Sequence, residues 1–229
     1  MNKINILNKI KGGLIVSCQA LDDEPLHSAY IMSRMAVSAQ EGGACGIRAN
    51  SVVDITEIKK LVSLPLIGLV KIDYPESEVY ITPTLAEVDA LAACGADIIA
   101  TDGTNRRRPN GESLEEFFNK ARKKYPEMLF MADCSTFEDG LNAEKLGFDI
   151  VGTTLCGYTN ETNGTSLPNF DLMEKLAKSL KIPVIAEGGI WSPKELEMAI
   201  NCGVHAAVVG TAITRPQEIT KKYINILKK

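Results

Sequence analysis

Short runs of apolar and β-branched residues recur along the chain at 14–18, 45–47, 66–71, 97–101, 129–133, 149–153, 183–187 and 206–210. Between them the apolar positions fall three and four apart, as in Leu85, Val88, Leu91 and Ala92, or Leu114, Phe117, Phe118 and Ala121, or Leu172, Leu176 and Leu180. The short runs predict strands and the spaced positions predict amphipathic helices, so the two alternate throughout. The junctions agree with the periodicity. Thr84 with Glu87, Ser135 with Glu138 and Ser192 with Glu195 each fit a capping box, in which a hydroxyl and a carboxylate satisfy free N–H groups of a first helical turn. Pro193 suits the first helical position, and Gly95, Gly147 and Gly203 follow helical segments as C-terminal caps. Eight strand–helix units with strands apolar on both faces predict an α/β fold of the closed (β/α)8 barrel type, that is, a TIM barrel. An open doubly wound sheet is the alternative, and it would need edge strands that read more polar. No linker or low-complexity tract divides the chain, so residues 1–229 are read as a single domain. The final helical stretch, 218–227, carries Ile219, Tyr223, Ile226 and Leu227 on one stripe; it is expected to close the barrel, with packing on a partner as the lesser option.

Composition narrows the partners. Hydrophobic residues make up 45% and charged residues 24%, the usage of a globular chain with a sizeable core. A net charge of -4 leaves no basic surplus to meet a nucleic-acid backbone, so no nucleic-acid partner is expected and any anion site must be local. No stretch reaches the roughly 18 apolar residues of a membrane span, and the first residues lack an uninterrupted apolar segment. A cytoplasmic protein with no membrane partner is expected. The six cysteines form no C-x-x-C pair and mostly lie in apolar runs, which predicts reduced core thiols. The two histidines, His27 and His205, fall in contexts peripheral to a barrel mouth, so neither a metal nor any other cofactor is expected.

In a barrel of this kind the reacting groups stand at the C-terminal ends of the strands, and polar residues collect there. The first strand ends in Ser17-Cys18-Gln19, the second in Arg48-Ala49-Asn50, the third in Lys71, the fourth in Thr101-Asp102-Gly103 and the fifth in Asp133. The sixth ends in Thr153-Thr154, the seventh in Glu187-Gly188-Gly189 and the eighth in Gly210-Thr211. Glycines after the last two strands let backbone N–H groups approach a phosphate, and Arg215 offers a forked cation. These five, Gly188, Gly189, Gly210, Thr211 and Arg215, are the expected phosphate site. Lys71 shares the face of Leu69 by period two and should point into the mouth, either as a reacting amine or paired with Asp102 or Asp133. Glu187, beside the phosphate loops, is either an acid/base group or an acceptor of substrate hydroxyls. Asp133 is read as a hydroxyl binder, an orienter of Lys71 or a loop cap. Arg106, Arg107 and Arg108 read as a solvated or ion-paired loop before an anion site, and the long segment 157–168 as a lid or a mobile loop.

These residues sit in motifs that resemble the N-acetylmannosamine-6-phosphate 2-epimerase family of bacterial sialic acid catabolism. The motifs are GGLIVSCQA at 12–20, GGACGIRAN at 42–50, GLVK at 68–71, DGTNRRRP at 102–109, MADCST at 131–136, GTTLCGYT at 152–159, AEGGI at 186–190 and VVGTAITRP at 208–216. The resemblance implies inversion at C2 between the 6-phosphates of N-acetylmannosamine and N-acetylglucosamine. It implies Lys71 and Glu187 as catalytic, Gln19, Arg48, Asp133 and Thr153 around the sugar, and a homodimer. Another phosphosugar isomerase, lyase or decarboxylase, or a non-catalytic phosphosugar sensor, stays open on the residues alone.

Overall fold

The computed structural model describes residues 2–227. Each apolar run forms a strand: β1 (Leu14–Cys18), β2 (Gly46–Asn50), β3 (Leu66–Leu69), β4 (Ile98–Asp102), β5 (Leu129–Asp133), β6 (Ile150–Gly152), β7 (Val184–Ala186) and β8 (Ala206–Val209). They pair in parallel in chain order, and β8 closes onto β1 through Leu14 with Ala207 and Ile15 with Val208. Helices α2 (Ala29–Glu41), α3 (Val52–Leu61), α4 (Leu85–Ala93), α5 (Leu114–Lys124), α6 (Phe137–Leu146), α7 (Phe170–Ser179) and α8 (Pro193–Asn201) separate successive strands. The expected (β/α)8 barrel is the fold.

Period two sorts each strand. Ile15, Ile67, Leu69, Ile98, Met131, Ile150, Ile185 and Val208 fill the barrel, while Val16, Ile47, Ile99, Phe130, Val151 and Val209 face the helices. Several strand limits differ from the sequence reading. β2 begins and ends later than 45–47, so Arg48 and Asn50 belong to the barrel wall; β3 stops at Leu69, two residues before Lys71.

The barrel is closed from below by α1 (Lys3–Ile10), whose Ile6 and Ile10 join the interior cluster and whose Leu7 carbonyl lies 2.9 Å from His205 Nε2. The expectation that residues 218–227 perform this closure is corrected. α9 (Thr211–Thr214) is tied to β1 by the Thr214 hydroxyl, which donates to the Ser17 carbonyl at 2.7 Å. After it the chain turns at Arg215 and Pro216 into α10 (Pro216–Leu227), none of whose described residues is buried. With the floor occupied by α1, the stripe of Tyr223, Ile226 and Leu227 stays in solvent.

The caps follow the sequence with one shift and one addition. Thr84 with Glu87 and Ser192 with Glu195 form the expected boxes, and Ser113 with Glu116 forms another. At α6 the box is Thr136 with Asp139 rather than Ser135 with Glu138; Ser135 instead bonds the hydroxyls of Thr159 and Thr162 at 2.6 and 2.8 Å. Gly95, Gly147 and Gly203 all take the positive φ of helix ends. All six cysteines are free thiols. Among the described residues no helix is long and apolar enough to cross a membrane.

Candidate active site

Above the last apolar layer, the inward positions of the strands turn polar and line a cavity of about 410 Å³ at the C-terminal mouth. Ser17 and Gln19, Arg48, Lys71, Thr154, Glu187, Gly188, Gly189, Gly210, Thr211 and Arg215 all reach it. All eleven stand in the strand-end groups or the phosphate site singled out above, Thr154 only as the neighbour of Thr153.

Arg48 stands inside the barrel at 1% exposure, its Nη2 donating to Asp133 Oδ2 at 2.6 Å. Its Nε lies 3.3 Å from Glu187 Oε1 without the alignment of a hydrogen bond and is a buried donor with no partner. Asp133 is wholly buried beneath the cavity, and its other oxygen accepts from the Thr154 hydroxyl at 2.6 Å. Thr154 Oγ1 also lies 3.1 Å from Glu187 Oε2. Arg48 therefore stands between two carboxyl groups, held firmly by one and loosely by the other.

Lys71 sits past the end of β3 on a short antiparallel turn that bridges it to Ile81. Its amide donates to Asn50 Oδ1 at 2.7 Å, the Ile72 amide to the Tyr80 carbonyl and the Thr82 amide to the Val70 carbonyl. Thr82 closes this turn at φ 46, a strained value for a branched residue, and its hydroxyl donates to the Ala100 carbonyl at 2.7 Å. The backbone that presents the amine is thus fixed from three sides. Neither proposed ion pair forms: Asp102 is taken by Thr104 and Arg106, and Asp133 by Arg48 and Thr154. Burial, reinforced by the Arg48 and Arg215 cations, holds the Lys71 amine below the ordinary lysine range, against Glu187 and Asp133 pulling it up. Burial, reinforced by Asp133, pushes the Glu187 carboxyl above its ordinary range, against the pull of Arg48 and Lys71. Both groups are moved toward their neutral forms.

Thr153 does not face the cavity. Its hydroxyl donates to the Glu187 carbonyl at 2.7 Å and accepts from the Glu187 amide at 2.9 Å, which fixes the backbone carrying that carboxyl. Thr154 occupies the inward position because it is in phase with Ile150 and Gly152; period two carried one turn past the strand would have found it. Gly152 leaves room beneath: a Cβ there would lie 2.3 Å from Met131 Cε and 3.4 Å from Asp133 Oδ1.

At the opposite rim Gly188 and Gly189 take φ 111 and 73, and Gly210 opens α9 without a side-chain cap. Arg215 lines the same rim but is not free: its guanidinium grips the Glu24 carboxylate through Nε at 2.8 Å and through Nη2. Glu24, in the loop after β1, carried no signal in its local pattern. Gln19 donates through Nε2 to Ser17 Oγ at 2.9 Å, and its Oε1 is a buried acceptor with no partner.

The arginine run divides. Arg106 pairs with Asp102 at 2.5 Å, Arg107 is exposed, and Arg108 is buried over the Phe117 ring, donating to the carbonyls of Thr82, Pro83 and Asp102. Only Arg106 fits the ion-paired reading; Arg108 instead clamps the loop after β3 to the end of β4. Segment 157–168 places Tyr158 at the cavity and is tied down through the hydroxyls of Thr159 and Thr162 to Ser135. His27 bonds the Ala20 carbonyl, and His205 faces α1 on the far side of the barrel. Among the described residues no group of three or more His, Cys, Asp or Glu side chains is placed to share a metal ion.

The family described as "Putative N-acetylmannosamine-6-phosphate epimerase" matches residues 32–229. A protein of Caldanaerobacter subterraneus with the corresponding 2-epimerase description is 50% identical over 226 residues, covering 99% of this chain and 95% of its own. One of Listeria innocua is 51% identical over 227 residues, 98% of each chain. The solved structure of the N-acetylmannosamine-6-phosphate 2-epimerase from Clostridium perfringens aligns with a TM-score of 0.93 at 52% identity, over 96% of both chains. With this agreement in sequence, length and shape, the chain belongs to the N-acetylmannosamine-6-phosphate epimerase family.

Proposed function

We propose that the chain interconverts N-acetylmannosamine 6-phosphate and N-acetylglucosamine 6-phosphate by proton transfer at C2, with Lys71 and Glu187 as the acid/base groups. One observation carries the reading: an amine pushed down and a carboxyl pushed up share a cavity whose far rim is built of glycine loops. The phosphate is held by the backbone at Gly188, Gly189, Gly210 and Thr211 and by Arg215, which then divides its guanidinium between the phosphate and Glu24. The sugar spans the cavity toward β2 and β3, where Gln19 Oε1 and Arg48 Nε, both buried without partners, offer an acceptor and a donor.

A C2 proton is removable when it lies beside the C1 aldehyde of an opened sugar, because the carbanion charge moves onto the carbonyl oxygen. Lys71 and Glu187 exchange protons with C2 and with that oxygen, and the Arg48 cation steadies the developing enolate. Return of a proton to the opposite face of C2 inverts the centre. Asp133 keeps Arg48 in place from below rather than touching the sugar. No metal or other cofactor enters this chemistry, so turnover should survive exhaustive chelation; loss with chelator and recovery with one divalent ion would overturn that part.

Free thiols in the core suit a reducing cytoplasm. A second copy of the chain is the partner the surface favours, since α10 leaves an apolar stripe uncovered and an apolar groove lies open at β1 and α2.

Proton NMR of N-acetylmannosamine 6-phosphate with the protein in deuterated water tests the reading directly. N-acetylglucosamine 6-phosphate should appear with deuterium at C2, and Lys71→Ala should abolish both while still binding ligand. Saturable binding with no exchange would make the protein a sensor, and a different product would assign another phosphosugar reaction.

A further inference from the structure

We propose that Thr154 is a positioning residue that holds Glu187 as the neutral acid, accepting a hydrogen bond from the Glu187 carboxyl on its oxygen while donating its own hydrogen bond to Asp133. The inference rests on the epimerase reading only for its kinetic consequence. A threonine hydroxyl has one proton to give. Thr154 Oγ1 lies 2.6 Å from Asp133 Oδ1 and 3.1 Å from Glu187 Oε2. The shorter distance is that of a hydroxyl donating to an ionised carboxylate, about 2.5–2.7 Å. The other Asp133 oxygen accepts from the Arg48 guanidinium at 2.6 Å, the contact of a carboxylate. A Thr154 proton donated to Glu187 would instead lower the pKa of that carboxyl; with the single hydroxyl proton committed to Asp133 at the shorter distance, the longer contact is a hydrogen bond only if Glu187 Oε2 carries the hydrogen.

Charge agrees with geometry. The groups facing Glu187 are Arg48 from β2, Lys71 beyond β3, and Asp133 from β5. Asp102 of β4 is turned onto Thr104 and Arg106, and Glu24 onto Arg215. Arg48 has one positive charge, and Asp133 neutralises it, so a second carboxylate beside it would stand against a neutral Lys71 uncompensated. A neutral Glu187 removes the stronger of the two carboxylates that would favour the ammonium form of Lys71, the other being Asp133, which Arg48 already pairs; Lys71 is thereby kept a base. Thr154 thereby acts on both reacting groups through a single oxygen.

The infrared C=O stretch of the protonated carboxyl, taken as the difference between wild type and Glu187→Gln, reads Glu187 without substrate. Wild type should show the band at neutral pH. In Thr154→Val, which keeps the shape and removes the oxygen, its midpoint should move down by about one pH unit, the tenfold effect of one lost hydrogen bond. Turnover in this variant should fall about tenfold, and Thr154→Ser should restore midpoint and rate. Absence of the band in wild type, an unmoved midpoint, or an upward shift in Thr154→Val would each overturn the proposal. If Thr154→Val failed to fold, the wild-type band and its persistence in Thr154→Ser would still decide it: no band in either variant overturns it. Wild-type turnover, measured separately, reports on the epimerase reading itself.

Discussion

A guanidinium at 1% exposure in the top layer of a barrel is tolerated because Asp133, also out of solvent, meets it at 2.6 Å. Removing one member of such a pair strands the other. Asp133→Ala should cost about 3–5 kcal/mol, which for a chain of this size lowers the melting temperature by roughly 6–20 °C; calorimetry checks it, and a loss of only a degree or two would show the pair to be dispensable. Lys71 poses a different question, whether its charge or its proton matters. Lys71→Arg keeps a cation that cannot deprotonate at working pH. If the amine is the base, this variant should lose at least about 10²–10⁴ in kcat, as Lys71→Ala should; near-normal kcat would reduce the residue to charge stabilisation. The pH profile follows from the two directions of shift. Lys71, pulled down, must be neutral to act, so activity falls as acid protonates it. Glu187, pushed up, must hold its proton, so activity falls as base removes it. The rate should trace a bell whose two limbs belong to the coupled pair rather than to either residue, and a flat profile between pH 5 and 10, to take roughly that window, would exclude the scheme.

At the scale of elements, the site is a property of strand phase. Lys71, Glu187, Arg48 and Asp133 were legible because polar residues ending apolar runs have only the barrel mouth to occupy. Thr153 and Thr154 were not separable by type, since both are threonines after β6, and only the inward phase of Ile150 and Gly152 distinguishes them. Ser135 and Thr136 posed the same ambiguity at a helix start, where either hydroxyl could cap and the box with Asp139 decided it. The pair of Glu24 and Arg215 joins residues 191 positions apart and no local pattern could disclose it. The loops after β7 and β8 can be tested through their glycines. A Cβ on Gly189 would stand 2.5 Å from Leu167 Cβ and 3.2 Å from the backbone at Leu167 and Pro168, on a φ of 73. Gly189→Ala must therefore displace the β7 loop, and KM should rise by about tenfold or more, the order of one lost interaction with an anion, with kcat less affected. Gly95→Ala is the control: it shares a positive φ but meets nothing within 4 Å. It should cost about 1 kcal/mol of stability and leave KM unchanged. Equal KM values in the two variants would remove the β7 loop from the phosphate site.

For the whole molecule, closure by α1 alters what the last helix is for. A barrel whose floor is plugged by Ile6 and Ile10 has no interior place for α10, yet Tyr223, Ile226 and Leu227 remain apolar and exposed. Beside β1 and α2 the same molecule presents a groove of about 510 Å³ lined by Val16, Ile31, Met35, Ala39 and Ile213. An unburied helix stripe and an unfilled apolar groove are two surfaces on one chain that a second copy, related by a two-fold axis, would have to cover. Apolar faces of this kind are uncommon on monomers that have no partner for them. The protein should sediment as a dimer at micromolar concentration. Tyr223→Glu combined with Ile226→Glu should yield a monomer with unchanged circular dichroism, because neither side chain belongs to the barrel core. Arg215, which lines the cavity, immediately precedes α10, and Glu218 of that helix also reaches the cavity wall. Anchoring α10 against a second copy would therefore steady the phosphate rim, and the monomeric variant should show a raised KM with kcat largely kept. A wild-type monomer, or a variant that stays dimeric, would place the stripe outside any contact between copies.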